Sequence, residues 1–284
     1  GSEMCIRDSY GTKLFQYSLT AGIPELREFI AARCNEKYGL GVTAADILIT
    51  TGSQQALDLI AKVTLDPGDG VIVEEPGYLG ALQTFLQYAP TFHPVALSED
   101  GLDVEGLASA LAAPRVKFIY TVPNFQNPTG LTYSAQNRKA VYNVIRNKNV
   151  ILIEDDPYGE LRFAGEDIPT LKSMDTEGIV IYCGSMSKVM SAGIRVGFVL
   201  APKPVIAKMT VGKQASDVHT NQFFQMLIAE YMEHYDFDGH IEKIRAIYKR
   251  KSGLMLDAIE KYFPKEVAYT RPEGGLFLWC TLPE

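Results

Sequence analysis

One segment of this chain combines residue types that could do covalent chemistry on a carbonyl group. A lone lysine, Lys188, follows Ser185 and Ser187 in the segment GSMSKVMSAGIR, between two apolar runs that are typical of buried strands. Partial burial and nearby cations lower the pKa of a lysine and free its amine as a nucleophile. The same segment contains Arg195, whose planar guanidinium can bond a phosphate through two donors. Taken alone, the segment favours a solvated lysine in a flexible turn.

Two further segments place carboxylate, phenol and amide groups after apolar runs. Asp155 and Asp156 begin the polar part of EDDPYGEL, and Tyr158 comes three residues after Asp155. A carboxylate there either binds a positive group or caps a turn. In PNFQNPTG, Asn127 precedes Pro128, and the residue before a proline is biased to an extended conformation that can aim its amide. The Asn-Pro-Thr-Gly run is equally compatible with turn chemistry alone.

A fourth segment, TTGSQQALDLI, passes from a strand pattern into a helix pattern through Gly52, Ser53 and Gln54. The free N–H groups of a helix N-terminus, a flexible glycine and a serine hydroxyl can bind an anion. Alternatively, Ser53 serves only as the helix N-cap. The chain contains neither GxGxxG nor GxxxxGK[ST], so the segment is not a common dinucleotide or P-loop fingerprint.

Together the four segments supply what a pyridoxal phosphate site requires. A lysine bonds the cofactor, and a carboxylate keeps the pyridine nitrogen protonated so that the ring accepts electrons. A phenol and an amide can bond the 3-oxygen, while a helix N-terminus with serines and an arginine can hold the phosphate. In open α/β sheets ligands bind beyond the carboxyl ends of the strands, which is where these segments fall.

The elements that must position these segments alternate along the chain. Short β-branched runs predict strands, and amphipathic patterns between them predict helices, which is typical of an α/β three-layer sandwich with a mostly parallel, buried sheet. The predicted strands are 47–50, 70–74, 91–95, 117–121, 150–154, 179–182 and 196–200, and the predicted helices are 24–37, 53–63, 78–87, 104–111 and 135–146.

The pattern changes after Pro202, where helices dominate up to Phe263 and are followed by predicted strands at 267–270 and 276–281. We therefore predict a large cofactor-binding domain over residues 10–237. The start of a smaller C-terminal α+β domain is predicted over residues 238–284.

The composition fits a globular protein and excludes several classes. The chain has 284 residues, of which 46% are hydrophobic and 21% charged, with a net charge of −7 and no basic cluster, which argues against a nucleic-acid surface. No apolar run approaches the ~20 residues of a membrane span. The four cysteines lack CxxC spacing, which indicates a reducing cytoplasm, and the four scattered histidines give no reason to predict a metal site.

The first nine residues, GSEMCIRDS, match the in-frame translation of a transposon-end sequencing adaptor. We therefore expect residues 1–9 to be non-native, with an unusual natural N-terminus as the alternative. The last residues end within a predicted strand, so we expect a fragment at both ends.

The segments PNFQNPTG, EDDPYGEL and GSMSKVMSAGIRVGF, in this order and spacing, resemble those of the fold-type I, class I/II pyridoxal-phosphate aminotransferases. The resemblance covers residues 10–284. It is closest to 2-aminoadipate/kynurenine-type transaminases and to the aminotransferase domain of MocR-type regulators. It implies an enzyme that moves an amino group between an amino acid and a 2-oxo acid, with 2-oxoglutarate as the expected acceptor.

The resemblance also implies roles for individual residues. Lys188 would form the Schiff base and shuttle the proton, Asp155 would pair with the pyridine nitrogen, and Tyr158 and Asn127 would bond the 3-oxygen. The residues implied at the phosphate are Gly52, Ser53, Gln54, Ser185 and Arg195, with Ser187 beside the lysine.

Two tyrosines complete the implied site. Tyr78 would stack on the cofactor ring, the alternative being a core tyrosine at a helix start. Tyr17 would reach the phosphate of the neighbouring subunit, which implies a homodimer, the alternative being a plain loop residue. The arginine that binds the substrate carboxylate in this family falls beyond Glu284.

Three alternatives to the transaminase remain open. The chain could be the effector domain of a MocR-type regulator, with a DNA-binding module before Tyr10. It could be a related pyridoxal-phosphate lyase or decarboxylase, because the same residues serve several reactions. Ser185 and Lys188 also match the S-x-x-K motif of serine acyl-transfer enzymes, but the S-D-N and K-T-G partner motifs are absent. The sequence does not predict which amino acid is the donor.

Overall fold

The structure is a computed structural model that describes residues 11–283. Residues 1–10 and Glu284 lie outside the described part of the chain, and with them the predicted non-native segment and Cys5. In residues 11–283, no helix combines the length and apolar character needed to cross a membrane.

An eight-stranded sheet lies at the centre of the fold, in the order β1-β8-β7-β6-β5-β2-β3-β4. Parallel pairing joins β3, β2, β5, β6 and β7, whereas β8 runs antiparallel to both of its neighbours. The strands are β1 (Ile47–Thr50), β2 (Gly70–Glu75), β3 (Thr91–Ser98), β4 (Gly101–Leu102), β5 (Val116–Thr121), β6 (Ile151–Asp155), β7 (Val180–Ser185) and β8 (Gly197–Leu200). The predicted, mostly parallel sheet is therefore confirmed.

Helices cover both faces of this sheet because its central strands are apolar on both sides. Alternate residues of one strand enter different cores: Val71 and Val73 pack with one helix layer and Ile72 with the other. The helices are α1 (Pro24–Tyr38), α2 (Gly52–Thr64), α3 (Leu79–Leu86), α4 (Val104–Ala110), α5 (Ala135–Ile145), α6 (Lys203–Ser216), α7 (Gln222–His234) and α8 (Phe237–Tyr262). Core residues of α2, α3 and α6 lie on one face, and those of α4 and α5 on the other. The predicted three-layer sandwich is thus confirmed.

The C-terminal part differs from the prediction in one strand. A two-stranded antiparallel sheet joins β9 (Ala268–Tyr269) to β10 (Cys280–Thr281), so only the end of the predicted strand 276–281 pairs. The preceding residues Leu276 and Phe277 pack against the hydrophobic core on one face of the large sheet instead. Gly275 lies so close to Phe125 that an added Cβ would be 2.3 Å from that side chain. The division into domains 10–237 and 238–284 stays a prediction, and its boundary falls in the first turn of α8.

Candidate active site

A cleft with a cavity volume of about 150 Å³ lies beyond the carboxyl ends of the parallel strands and contains side chains from all four segments. Strands β5, β6 and β7 end at Thr121, Asp155 and Ser185, next to this cleft. The cleft is lined by Ser53, Gln54, Tyr78, Tyr120, Val122, Asn127, Asp155, Pro157, Tyr158, Ser185, Ser187, Lys188, Ala192 and Arg195. Ten of the predicted site residues are therefore brought together, and Gly52 adjoins them at the start of α2.

Asp155 is the most unusual group in the cleft. It is 3% exposed, and its Oδ2 accepts a hydrogen bond of 2.8 Å from the Tyr120 hydroxyl, while its Oδ1 is buried without a partner. The pKa of Asp155 is raised to about 7, mainly by burial. The hydrogen bond from Tyr120 lowers it, and the nearby carboxylates of Asp156 and Glu74 raise it further. A buried acceptor is rarely left unpaired, so Oδ1 is suited to a cationic N–H from a ligand.

The neighbouring carboxylates are satisfied by the protein itself. Asp156 accepts hydrogen bonds of 2.9 Å from the Asn124 amide and from the Tyr182 hydroxyl. Glu74 accepts from the Tyr133 hydroxyl at 2.5 Å and from the backbone N–H of Val122 at 2.8 Å. The contrast identifies Asp155, rather than its neighbours, as the carboxylate that is left for a ligand.

Tyr120 is a site residue that the sequence analysis missed. It is 1% exposed, and its hydroxyl orients the Asp155 carboxylate. The sequence gives no local signal for it, because Tyr120 lies inside strand β5 and looks like a core residue until the neighbouring strand β6 places Asp155 beside it.

The start of α2 forms the anion-binding end of the cleft. Gly52 is the first helical residue, with φ +78°, and Thr51 is the N-cap without a side-chain capping bond. Ser53 is thus the second residue of the helix, and the N-cap alternative for it is wrong. The guanidinium of Arg195 crosses Gly52 so closely that an added Cβ would be 2.2 Å from Nη2.

The loop after β7 brings Arg195 and the serines to the same end. Arg195 has a left-handed backbone with φ 50°, and its Nη1 donates to Ser187 Oγ at 3.2 Å. The backbone N–H of Ser187 in turn donates to Ser185 Oγ at 3.1 Å. Free helical N–H groups, hydroxyls and a guanidinium therefore converge, which suits a phosphate. Lys188 is half-buried in this loop and lines the cleft.

Aromatic and amide groups line the remaining walls. Tyr78, the N-cap residue of α3, donates from its hydroxyl to Gln54 Oε1 at 3.3 Å. Burial raises the pKa of Tyr158 well above its ordinary value, partly offset by a hydrogen bond with the Asn127 side chain. Tyr158 and Asn127 thus form a polar pair on the wall that also contains Asp155.

Tyr17 does not line the cleft of its own chain. Its side chain is 85% exposed and contacts His219 edge-on, with ring centroids 5.9 Å apart. Its predicted contact with the phosphate of a neighbouring subunit stays a prediction.

The donor set fits pyridoxal phosphate on these observations. The unpaired Oδ1 of Asp155 matches a protonated pyridine nitrogen, and the uncapped start of α2 with Arg195 matches a phosphate. An amine, Lys188, lines the same cleft. These three features serve the ring nitrogen, the phosphate and the aldehyde of one molecule.

Comparison with known proteins identifies a family and relatives that agree with a pyridoxal phosphate site. Residues 6–284 match the family model described as aminotransferase class I and II. The chain is 40% identical over 284 residues to aromatic-amino-acid aminotransferase 1 of Thermococcus litoralis, covering 98% of this chain and 68% of that protein. It is 41% identical over 277 residues to the 2-aminoadipate transaminase of Thermus thermophilus, covering 96% of this chain and 68% of that protein.

The chain is also similar to solved aminotransferase structures and to transcription regulators. The crystal structure of Pyrococcus horikoshii kynurenine aminotransferase in complex with PMP superposes with a TM-score of 0.95 at 41% identity, covering 100% of this chain and 71% of that one. The HTH-type transcriptional regulator YjiR of Escherichia coli is 36% identical over 269 residues, which span 94% of this chain and 57% of the regulator.

Proposed function

We infer the function of this chain from one premise: it belongs to the class I and II aminotransferase family. It is accordingly a fold-type I enzyme that uses pyridoxal 5'-phosphate to transfer an amino group between an amino acid and a 2-oxo acid. The observation in the structure that carries this function is the unpartnered Oδ1 of Asp155 in a cleft that also contains Lys188. When bound, the cofactor supplies an electron sink for the charge that develops at the substrate α-carbon.

We propose that Asp155 holds the proton on the pyridine nitrogen through Oδ1. Its carboxylate is costly to ionise in the cofactor-free cleft, as its raised pKa reflects. A cationic N–H at Oδ1 offsets that cost, because an opposite charge at hydrogen-bond distance favours the ionised form. Tyr120 fixes which oxygen is available by occupying Oδ2.

Lys188 would act twice at the other end of the ring. Its amine would hold the cofactor covalently. Once freed by the incoming amino acid, the amine would take the proton from the α-carbon of the substrate as a positioned general base and would later return a proton as the general acid. Tyr158 and Asn127 would bond the 3-oxygen, and Tyr78 would stack on the ring.

The phosphate would be held by the first N–H groups of α2, with Ser53, Gln54 and Ser185, and by Arg195. Ser187 would support Arg195, to which its hydroxyl is already bonded. We further propose a homodimer in which Tyr17 of each chain reaches the neighbouring phosphate. Its 85% exposure and distance from its own cleft support this arrangement.

The substrates would be a 2-aminoadipate, kynurenine or aromatic amino donor and 2-oxoglutarate as acceptor. The support for these donors is the identity of 40–41% to relatives with those names. We propose a reducing cytoplasm as the location, which the free thiols of Cys34, Cys183 and Cys280 support.

The test is formation of the covalent bond at Lys188. The protein mixed with pyridoxal phosphate should absorb at about 420 nm. After borohydride reduction, mass spectrometry should find the peptide that contains Lys188 heavier by the mass of the reduced cofactor. Lys188→Ala should lose both signals, whereas Lys203→Ala, at an exposed lysine at the start of α6, should keep both. An unchanged spectrum in Lys188→Ala would refute the assignment.

A second candidate function is the effector domain of a transcription regulator. Identity of 36% to the regulator YjiR, of which this chain spans 57%, favours it. Reading the gene upstream of Tyr10 separates the two: a winged-helix module with basic residues would indicate the regulator. In that case the cofactor bond at Lys188 should persist without efficient transamination.

A further inference from the structure

A hydrogen-bonded network adjoins the anion-binding end of the cleft at Thr51, whose hydroxyl also lies 3.1 Å from the Thr220 hydroxyl. Asp217 Oδ2 accepts from Thr51 Oγ1 at 2.8 Å and from Gln55 Nε2 at 2.7 Å. Lys213 Nζ donates to Asp217 Oδ1 at 2.8 Å and to Gln55 Oε1 at 2.6 Å. The same Gln55 oxygen accepts the backbone N–H of Thr51 at 2.8 Å. The network therefore ties the first turn of α2 to the end of α6.

The network changes what the start of α2 can bind. An N-cap threonine ordinarily turns its hydroxyl onto the N–H groups of the first helical turn. Thr51 holds the N-cap position but makes no such bond, because its hydroxyl donates to Asp217 instead. The N–H groups at Ser53 and Gln54 are consequently not capped by Thr51, and both residues line the cleft.

Lys213 is an unusual residue in this position, since its side chain is completely buried. Burial lowers the pKa of Lys213, while the bonds to Asp217 act in the opposite direction. Burial raises the pKa of Asp217, but hydrogen bonds from Lys213, Gln55 and Thr51 hold it below its ordinary value. Asp217 is thus stabilised in its charged form, whereas for Lys213 the effect of burial outweighs the bonds to Asp217 and its pKa is lowered on balance. When both groups are charged, the pair adds no net charge beside the phosphate position.

We propose that Lys213, Asp217 and Gln55 are positioning residues for the phosphate of the cofactor, which they serve by holding Thr51 away from the start of α2. The proposal rests on the proposed function, because it assigns the same cleft end to the phosphate. The lysine and the aspartate do not touch the phosphate themselves. They keep the helix N-terminus open and fix the Gly52 turn over which Arg195 lies.

Asp217→Asn separates positioning from simple electrostatics. This variant leaves the positive charge of Lys213 near the phosphate, so electrostatics alone would strengthen binding. Positioning predicts the opposite, because the network loses its charged acceptor and Thr51 is free to cap the helix. We expect the affinity of the cofactor-free protein for pyridoxal phosphate to fall about 10-fold, the effect of losing one buried, charge-assisted hydrogen bond.

The assay is a titration of cofactor-free protein followed by absorbance, run in parallel with pyridoxal, which lacks the phosphate. Asp217→Asn and Lys213→Met should weaken pyridoxal phosphate binding and leave pyridoxal binding within about twofold of wild type. Inorganic phosphate should raise the melting temperature of the wild-type protein more than that of either variant. Thr51→Val cannot cap the helix, so alone it should bind pyridoxal phosphate as wild type does, and added to Asp217→Asn or Lys213→Met it should restore the affinity that those variants lose.

Lys62→Met is the matched control. Lys62 also joins α2 to α6, through a 2.7 Å bond to Ser216 Oγ, but it is partly exposed and lies away from the turn at Gly52. It should bind both ligands as wild type does. Equal or tighter pyridoxal phosphate binding by Asp217→Asn, or no recovery of binding when Thr51→Val is added to it, would overturn the proposal. If the wild-type protein bound no pyridoxal phosphate, the proposed function itself would fail.

Discussion

Replacing Asp155 with asparagine should stabilise the cofactor-free protein even though it removes the group that holds the pyridine nitrogen. In the cofactor-free fold the Asp155 carboxylate is 3% exposed and has one unpaired oxygen. Its pKa rises from an ordinary 3.8 to about 7. An acid whose pKa is raised by folding favours the folded state only in its protonated form, so it destabilises the fold as pH rises from about 4 to 7.

The magnitude follows from the proton affinity. Each pKa unit, a tenfold change in proton affinity, corresponds to about 1.4 kcal/mol. The rise from 3.8 to about 7 therefore means that ionised Asp155 destabilises the cofactor-free fold by up to about 4 kcal/mol above pH 7. Asparagine removes this cost and can still accept the hydrogen bond from Tyr120. Its amide leaves a buried N–H unpaired, which costs about 1–3 kcal/mol. We expect a net gain of about 1–3 kcal/mol in the free energy of unfolding at pH 8.

The assay is denaturant unfolding of cofactor-free wild type and Asp155→Asn between pH 5 and 9. The stability difference should shrink or reverse near pH 5, grow in favour of the variant up to about pH 7 and level off above it. Asp257→Asn, at an exposed position of α8, serves as the control and should show no such trend. A difference that is independent of pH, or a variant that is less stable at pH 8 than at pH 5 relative to wild type, would refute the reasoning. With the cofactor bound, wild type should be more stable than Asp155→Asn, because the cationic N–H of the pyridine ring compensates the negative charge of the aspartate and finds no charge in the asparagine.

Two further substitutions test the two ends of the cleft. Tyr120→Phe removes the donor to Asp155 Oδ2 at 2.8 Å. It should weaken the binding of pyridoxal and of pyridoxal phosphate equally, by about 5- to 20-fold in an absorbance titration. Weaker binding of only one ligand would contradict the position of Tyr120 at the ring end of the cleft. Gly52→Ala puts a Cβ 2.2 Å from Arg195 Nη2 at a φ of +78° and should cost about 1–2 kcal/mol in denaturant unfolding. The same variant should weaken pyridoxal phosphate more than pyridoxal, and equal losses would place Gly52 outside the phosphate end.

Much of the fold could be predicted because its signals are local. The strand prediction 47–50 agrees with β1 residue for residue, since four consecutive apolar or β-branched side chains are bounded by polar residues. The two-residue strand β4 (Gly101–Leu102) was missed, as a single pair of residues has no periodicity to detect. The predicted strand 276–281 pairs only at Cys280–Thr281, because Leu276 and Phe277 pack against the hydrophobic core of the large sheet, a tertiary contact that the local pattern does not show.

The candidate site was predictable to the extent that its residues lie at strand ends within short motifs. Asp155, Asn127 and Lys188 each follow an apolar run and meet because parallel strands end at one edge. Tyr120 lies inside a strand and looks like an ordinary core residue in sequence. Its role depends on a hydrogen bond to Asp155 across two neighbouring strands, 35 positions away.

The two ends of the cleft therefore differ in how sequence encodes them. The ring end depends on a carboxylate whose neighbours Asp156 and Glu74 have their own donors, so that Asp155 alone keeps an unpaired oxygen. The phosphate end depends on keeping a helix N-terminus uncapped, and Asp217 does so from 166 positions away. A local motif can show a glycine and a serine before a helix, but it cannot show whether the preceding threonine caps that helix. Because the acceptor that decides this comes from α6, the anion-binding capacity of the Gly52 turn is a property of the tertiary structure.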